Sequence, residues 1–288
     1  MRTPLSLLAL GVSLLSAPHA MALSEFGIEG MGVVSTKANE AQATIAPDGQ
    51  RIVWASDRGG GAGGWDLWQA VLRDGRWQDP TPLALNSASD EVDPFFSHDG
   101  AWLYFASNRP SGRGGFDLYG LMIRQDGSFG PVLAMPVTVN TAADERRPAV
   151  RPDGEVLLFA RNGKGSQGGF DLYVATAQGR GFNSATPLPA PLNSAADELG
   201  GDWLGNDGAL AITRVADGQS RVWLVGCDYA KPAEPLVLSF NTAEGQTGAP
   251  VVDASKPSEM VVAGQARSPK AGGLDLYRLR TPAVAGCR

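Results

Sequence analysis

Carboxylate side chains recur at nearly regular intervals along this 288-residue chain, and they are its main candidates for acid–base or binding chemistry. The motif consists of Gly-Gly, one apolar or aromatic residue, and Asp. Successive copies of the motif are separated by roughly 50 or roughly 100 residues. Asp-Glu pairs recur with a similar spacing. Two opposed carboxylates can cleave a glycosidic bond, whereas a carboxylate within a loop can bind the loop's own amides. The residues of these motifs are Asp66, Asp117, Asp171 and Asp275, together with Asp90, Glu91, Asp144, Glu145, Asp197 and Glu198.

Two arginines, Arg58 and Arg109, follow Ala-Ser-Asp and Ala-Ser-Asn at the same point of their repeats. With the repeated acids they would crowd one end of the folded unit and could form a polar funnel for a ligand. Alternatively, Asp binds its own loop amides and Glu pairs with Arg across the junction between repeats. We favour the structural role, because a residue present in nearly every repeat most simply serves the fold of that repeat.

The fourth repeat departs from the pattern. Arg221 stands where the repeated Asp is expected, Arg214 lies on the preceding predicted strand, and Asp202-Trp203 replaces the usual Pro-aromatic start. A basic sector beside acidic neighbours could hold an acidic ligand or the carboxylate of a partner. Decay of one repeat is the simpler explanation and is favoured. The candidate binding residues are therefore Arg58, Arg109, Asp202, Trp203, Arg214 and Arg221.

Other kinds of site have little support in the sequence. His19 and His98 are the only histidines, and His19 lies in the N-terminal segment, so His-based catalysis and His-ligated metals are disfavoured. The loops 57–66 and 108–117 offer oxygen ligands but lack the Asp-x-Asp-x-Asp-Gly spacing of a calcium loop. The glycine tract 59–64 lacks the Gly-Lys-Ser/Thr of a phosphate-binding loop. We expect no metal, no cofactor and no assignable catalytic residue.

Short strands must position these residues. Asp-Gly pairs at 48–49, 99–100, 153–154 and 207–208 predict tight turns. The runs that follow are apolar at consecutive positions, as at 102–106, which predicts strands covered on both faces. Four such strands in about 50 residues predict an all-β fold, a β-propeller of five four-stranded blades. The predicted blades start near residues 43, 94, 148, 201 and 249.

The last predicted blade has too little chain for a fourth strand. The segment 26–34 precedes Ser-Thr-Lys-Ala-Asn-Glu at 35–40, which resembles the segments after the other fourth strands at 86–91, 140–145 and 193–198. We expect this N-terminal strand to complete the last blade and close the ring, because an open edge would invite aggregation.

The N-terminus predicts export. Met1-Arg2 precedes an uncharged apolar run, and small residues at 20 and 22 suit a signal peptidase, so residues 1–22 are predicted to be a cleaved signal peptide and 23–288 a single domain. A net charge of −6 without a basic run disfavours nucleic acid and anionic membranes as partners. Cys227 and Cys287 can pair in an oxidising compartment or remain separate thiols, and the sequence leaves both open.

The repeated order of motifs resembles the WD40-like propeller repeats of bacterial envelope proteins. It runs Asn-Thr/Ser-x-x-Asp-Glu, Pro, Asp-Gly, Tyr-Phe-Ala-Ser-Asn-Arg and Gly-Gly-Phe-Asp-Leu-Tyr. It is similar to the propeller of TolB and to the propeller segments beside OmpA-type peptidoglycan-binding domains. The resemblance covers most of the chain; it is clear in the first three repeats, partial in the fifth and poor in the fourth. TolB-like propellers usually have six blades and an extra N-terminal domain, and this chain leaves room for neither.

The resemblance implies a periplasmic or secreted, non-catalytic binding or scaffold protein that contacts an envelope protein or a cell-wall glycan. We expect a monomer without membrane insertion. One alternative is a small glycan-active enzyme, which two acids paired inside the central pocket would favour. Another is a multivalent sugar-binding propeller, which would need outward-pointing aromatics at Trp65, Phe116 and Phe170. Acids confined to the rim would favour the scaffold.

Overall fold

The computed structural model describes residues 25–179, 181–241, 245–284 and 287. The predicted signal peptide at residues 1–22 lies outside the described residues. Within the described residues the regular secondary structure is entirely β-strand, arranged in five antiparallel sheets. A search of the same residues for a helix long and apolar enough to cross a membrane finds none.

The five sheets are the blades of a β-propeller, which confirms the predicted fold class. Strand β1 (Glu25–Ile28) precedes the first blade. Blade 1 contains β2 (Glu40–Ile45), β3 (Arg51–Ser56), β4 (Asp66–Arg73) and β5 (Arg76–Pro82), and blade 2 contains β6 (Glu91–Phe96), β7 (Trp102–Ser107), β8 (Asp117–Met122) and β9 (Leu133–Ala134). Blade 3 contains β10 (Glu145–Val150), β11 (Val156–Asn162), β12 (Phe170–Gln178), β13 (Gly181–Phe182) and β14 (Thr186–Pro187). Blade 4 contains β15 (Asp197–Trp203), β16 (Leu210–Ala216), β17 (Gln219–Val225) and β18 (Glu234–Pro235), and blade 5 contains β19 (Thr247–Val252), β20 (Glu259–Gly264) and β21 (Asp275–Arg280).

The ring is closed by the N-terminal strand, as the sequence predicted. Strand β1 pairs antiparallel with β21 and so completes blade 5. Arg278 on β21 forms ion pairs with Glu29, which follows β1, and with Asp253 and Glu259 of its own blade. The indole Nε1 of Trp77 in blade 1 donates a 2.6 Å hydrogen bond to Glu29. Polar bonds therefore fasten the junction at which the two ends of the ring meet.

The second strand of each blade is apolar at consecutive positions because it is covered by neighbouring blades on both faces. In β7, Leu103, Phe105 and Ala106 are fully buried. The turn before this strand uses Asp99, whose Oδ1 accepts a 2.9 Å bond from the backbone N–H of Ala101, and Gly100 at a φ of +71°. Glycine adopts this left-handed conformation without the steric cost that a β-carbon brings.

The first strands β2, β6, β10, β15 and β19 contact one another in sequence around the ring, so they surround its axis. They begin two to four residues before the predicted blade starts, because in blades 1 to 4 the acidic residues that precede those starts are already extended; in blade 5 the strand begins at Thr247. Each first strand has a β-bulge near its beginning, which turns a side chain out of the regular alternation. The residues within the bulges are Gln42, Asp93 and Pro94, Arg147 and Pro148, Leu199 and Gly200, and Ala249 and Pro250.

Candidate functional site

The loops between second and third strands and the links between blades lie at one end of the ring, which we call the loop rim. These loops comprise residues 57–65, 108–116, 163–169, 217–218 and 265–274. The repeated Asp at the start of a third strand is buried and binds its own loop. Asp117, for example, accepts hydrogen bonds from the backbone N–H groups of Arg113 at 2.6 Å and Gly114 at 3.1 Å. Asp66, Asp171 and Asp275 accept equivalent bonds.

The repeated Glu at the start of a first strand is also fully buried. Glu91 accepts bonds from the N–H and Oγ of Ser87, from Ser107 Oγ and from Arg109 Nη2 at 3.0 Å. These four hydrogen bonds satisfy both carboxylate oxygens, so the carboxylate of Glu91 has a structural role. Glu40, Glu145 and Glu198 have corresponding partners.

The arginine that pairs with this Glu lies against two aromatic rings that stack on each other. The guanidinium carbon of Arg109 lies 5.2 Å from the ring centre of Phe105 and 4.9 Å from that of Tyr119. Its Nη2 also donates to the carbonyl of Leu85, which precedes blade 2. The ion pair with Glu91 is thus internal to one blade, and the carbonyl bond crosses the junction. Arg58 has similar surroundings, within 5.1 Å of the ring centres of Trp54 and Trp68 and bonded to Glu40.

The Asp that precedes the Glu connects successive blades. Asp90 Oδ1 accepts a 2.9 Å bond from the N–H of Trp65, and Asp144 Oδ1 accepts a 2.8 Å bond from the N–H of Phe116. Asp197 receives the N–H of Phe170 in the same way. The three aromatic residues involved are half-buried and pack against the hydrophobic core.

Blade 4 keeps more of the repeat than its sequence suggests. Arg214 pairs with Glu198 at 2.8 Å and lies over the ring of Trp223, as the repeated arginines of other blades do over theirs. Arg221 donates to the carbonyls of Ser220 and Gly245. Of the candidate binding residues, Arg58, Arg109 and Arg214 therefore have equivalent partners, since each pairs with the first-strand Glu of its blade. Arg58 and Arg109 reach that Glu from the loop after the second strand, whereas Arg214 lies on the strand itself, opposite Glu198.

Asp202 and Trp203 lie inside the ring wall, with both side chains buried. Asp202 Oδ2 accepts a 2.8 Å bond from the N–H of Val252 in blade 5, and Oδ1 accepts one from the N–H of Trp203. The indole of Trp203 donates to the carbonyl of Ala149 in blade 3. Burial without a cationic partner raises the pKa of Asp202 to about 7, although the two N–H bonds favour its charged form.

The structure brings together three charged residues that the sequence analysis did not single out. Asp93, Arg146 and Arg147 lie at the bulges of β6 and β10, near the ring axis on the loop rim, and we call them the axial cluster. Arg146 Nε donates a 2.6 Å bond to Asp93 Oδ2, and the backbone N–H of Arg147 donates to the same oxygen at 3.2 Å. One carboxylate in blade 2 thereby holds two arginines of blade 3.

Arg147 crosses the first strand of blade 4. Its Nη1 donates a 2.7 Å bond to Thr213 Oγ1 on β16. It lies over Gly200, where an added β-carbon would be 2.6 Å from the β-carbon of Arg147. The missing side chain at Gly200 provides the space that Arg147 fills.

The axial cluster carries one more positive than negative charge. Burial opposes the charged form of Asp93, but the guanidinium groups of Arg146 and Arg147 outweigh it and lower the pKa of this carboxyl. Burial, together with the like charge of Arg146, lowers the pKa of Arg147 to about 10 despite the attraction of Asp93. The side chains of Asp93, Arg147 and Arg146 are 4%, 18% and 28% exposed, so Arg146 is the member that solvent reaches most.

Arg146 differs from the repeated arginines in what its nitrogens bind. Its guanidinium lies 4.3 Å from the ring centre of Phe116, and only Nε is hydrogen bonded. Within the part of the chain that the structure describes, Nη1 and Nη2 of Arg146 have no protein partner. The equivalent residue is Val92 in blade 2 and Leu199 in blade 4. Comparing repeats at this position is the signal that would have found Arg146 from the sequence.

Two further predictions concern metals and cysteines. Among the described residues there is no group of three or more His, Cys, Asp or Glu side chains placed to hold a metal ion. Cys227 and Cys287 form a disulfide, which ties the C-terminal segment to the end of β17. Disulfides are typical of oxidising, exported compartments.

Solved structures of other proteins share this fold. The putative TolB from Agrobacterium tumefaciens matches with a TM-score of 0.53 at 14% identity, over 85% of this chain and 91% of that one. TolB from Acinetobacter baumannii matches with a TM-score of 0.50 at 14% identity, over 84% of this chain and 54% of that one, so this chain spans about half its length. An α-L-arabinofuranosidase from Podospora anserina, solved with cellotriose, matches with a TM-score of 0.51 at 13% identity, over 91% and 98%. Neither a protein-family model nor a curated protein matches the sequence. These likenesses show a β-propeller fold like that of TolB.

Proposed function

We propose that this protein is an exported, non-catalytic binding or scaffold propeller of the bacterial envelope, and that its partner contacts the loop rim around the axial cluster. The observation that carries the proposal is Arg146. Most charged groups of the rim are bonded within their own blade or to the next one, whereas this arginine presents two terminal nitrogens without protein partners. A guanidinium that is held in place and still has N–H groups without protein partners is suited to bind a polar group of another molecule.

The state of the inner carboxylates supports binding over glycan hydrolysis. A glycosidase needs one carboxylic acid free to protonate the leaving group and a second carboxylate free to act as nucleophile or base. Each carboxylate on the described first strands instead accepts bonds from protein groups: Glu40, Glu91, Asp93, Glu145, Asp197, Glu198 and Asp202. Because propellers with both kinds of role share this fold, these side chains carry the argument.

The proposed location rests on two independent features. The first residues have the charge, the apolar run and the small residues of a secretory signal peptide. The Cys227–Cys287 disulfide suits an oxidising compartment outside the cytoplasm. Together they favour the periplasm or the extracellular space as the place where a partner is met.

Site-specific photocrosslinking in living cells tests the proposal. A benzophenone amino acid replaces Arg113, which is exposed in the rim loop that also carries Phe116, the ring under Arg146. The matched control carries it at Arg76, exposed at the opposite end of the ring. We expect a discrete adduct with an envelope protein from position 113 and none from position 76. Equal adducts from both positions, or release of reducing sugar from cell-wall or plant glycans by the purified protein, would contradict the proposal.

A further inference from the structure

We infer that the axial cluster is a carboxylate-binding site and that its ligand is an acidic segment of a protein partner. The inference rests on the proposed function and specifies the chemistry of the contact. Three features of the cluster carry it: the orientation of Arg146, the charge balance around Arg147, and the covering of the nearby aromatic ring.

Arg146 is oriented so that one edge of its guanidinium is available. Nε is fixed by the 2.6 Å bond to Asp93, and one face of the group lies on Phe116 at 4.3 Å. The two terminal nitrogens remain as a planar pair of donors. Such a pair matches the two oxygens of a carboxylate, with two parallel hydrogen bonds. Because the side chain is already positioned, a ligand loses less of its binding energy to ordering it.

The charge of the cluster favours an anion. Asp93 supplies one negative charge against the two positive charges of Arg146 and Arg147. The two acids that precede Arg146 in the chain are bonded elsewhere, since Glu145 pairs with Arg161 and Asp144 bonds to Asn162. Burial is the main cause of the lowered pKa of Arg147, and the like charge of Arg146 lowers it further. A ligand carboxylate would complete the charge balance of a partly buried pair.

The aromatic residues of the rim favour a peptide over a sugar. A sugar-binding site needs the open face of an aromatic ring, and the face of Phe116 beside the cluster is covered by Arg146. Trp65 and Phe170, at the equivalent positions, are half-buried and pack on the core. The cluster thus offers charge and hydrogen-bond donors without a stacking platform, which suits Asp, Glu or a C-terminal carboxylate of a protein.

Binding of defined peptides to the purified protein tests the inference. The probe is a fluorescein-labelled pentaglutamate peptide, with pentaglutamine as its neutral counterpart, measured by fluorescence anisotropy at low salt. We expect the wild type to bind pentaglutamate and not pentaglutamine. Arg146→Gln is expected to weaken binding at least tenfold, Arg146→Lys to give an intermediate loss because charge remains but the fork is lost, and Arg76→Gln to change it less than twofold.

Several results would overturn the inference. These are equal losses in Arg146→Gln and Arg76→Gln, no binding of pentaglutamate to the wild type, or binding of purified muropeptides in its place. Arg146→Gln leaves Asp93 only its contacts with Arg147, so some stability is lost, and the melting temperature of each variant is measured beside its binding. Binding is compared at a temperature at which every variant is folded, which excludes misfolding as the cause of a lower affinity.

The peptide and crosslinking experiments separate the two proposals. An adduct from position 113 that persists in the Arg146→Gln background would leave the scaffold function standing and overturn the carboxylate site. Arg146-dependent pentaglutamate binding without any envelope adduct would support the site and contradict the envelope scaffold.

Discussion

Arg146 of blade 3 donates a 2.6 Å hydrogen bond from Nε to Asp93 Oδ2 of blade 2, and the backbone N–H of Arg147 shares the same oxygen. The link joins the first strands of two blades where both strands bulge. Asp93 is 4% exposed and has a φ of +57°, a conformation that Asp and Asn tolerate better than most residues. This carboxylate therefore has two roles: it fastens two blades and it positions Arg146, which is half-buried.

Replacing Asp93 by Asn should destabilise the protein by about 3 kcal/mol, because two partly buried guanidinium groups would lose their shared counter-charge. Asn keeps the volume and the backbone preference of Asp, so the change isolates the charge. Urea denaturation gives the free energy of unfolding. The control is Asp74→Asn, an exposed position with a similar φ of +51°. A loss no larger than that of the control would show that the ion pair contributes little.

Exchanging Asn39 and Asp57 for each other should restore the stability that either single substitution loses. Asn39 donates through its backbone N–H at 2.8 Å and its Nδ2 at 2.7 Å to Asp57, whereas in blade 2 the residues are reversed as Asp90 and Asn108. Asn39→Asp alone would place two carboxylates together. We expect each single variant to lose about 0.5–1 kcal/mol and the Asn39→Asp/Asp57→Asn double variant to recover most of it.

Thermal or urea unfolding of the four proteins in this cycle measures the coupling. Additive losses in the double variant would mean that the two side chains act independently, contrary to their hydrogen bonds. High salt should reduce the penalty of Asn39→Asp, since the pair is largely exposed.

The fold was predictable because its determinants are local and repeated. Asp-Gly turns, strands that are apolar on both faces and a period of about 50 residues each fix one feature of a blade, and five copies leave only a ring to bury both faces of each sheet. The closing strand was predictable for the same reason, since residues 35–40 repeat the segment that follows the other outer strands.

The axial cluster was not predictable from these patterns because it depends on departures from them. Asp93 and Arg146 lie 53 residues apart and meet only through the ring. The bulges that turn them toward each other occupy positions where the alternation of buried and exposed residues fails. Blade 4 shows the opposite case. The sequence analysis grouped Arg214 with Arg221 as a departure from the repeat, yet in the structure Arg214 takes the position of Arg161 in blade 3.

Gly200→Ala should be more destabilising than an alanine at another left-handed glycine. Gly200 has a φ of +92°, and an added β-carbon would lie 2.6 Å from the β-carbon of Arg147. Gly154 has a φ of +78° and nothing within 4 Å of such a carbon, so Gly154→Ala measures backbone strain alone. We expect about 1 kcal/mol of loss at Gly154 and roughly 2 kcal/mol more at Gly200.

Pentaglutamate binding by the Gly200→Ala variant adds a functional readout, because displacing Arg147 disturbs the cluster while leaving its charges intact. A several-fold loss of affinity is expected, with Gly154→Ala unchanged. Equal stability and equal binding in the two variants would mean that Arg147 moves aside without cost.

Asp202 should make the stability of the protein fall as pH rises from 5 to 7. Burial raises the pKa of its folded-state carboxyl to about 7, above the ordinary value near 4, so between these values the folded protein holds a proton that the unfolded chain has lost. Folding then binds a proton, and the free energy of unfolding decreases with pH until Asp202 is ionised in both states. The slope from this group is at most about 1.4 kcal/mol per pH unit.

His98 has the opposite effect on the pH dependence of stability. Burial lowers the pKa of its imidazole, so the contribution of His98 to the free energy of unfolding increases with pH. Comparing the wild type with Asp202→Asn cancels that contribution, because both proteins contain His98. Asn is uncharged like the protonated carboxyl, and its single oxygen can accept one of the two N–H bonds, from Trp203 or Val252. The loss of the other bond is the same at every pH and does not alter the shape of the pH profile. Relative to the variant, the wild type should lose about 2–3 kcal/mol between pH 5 and pH 7.5. Parallel pH profiles in urea denaturation would place the ionisation of Asp202 outside this interval and show that its two N–H bonds offset its burial.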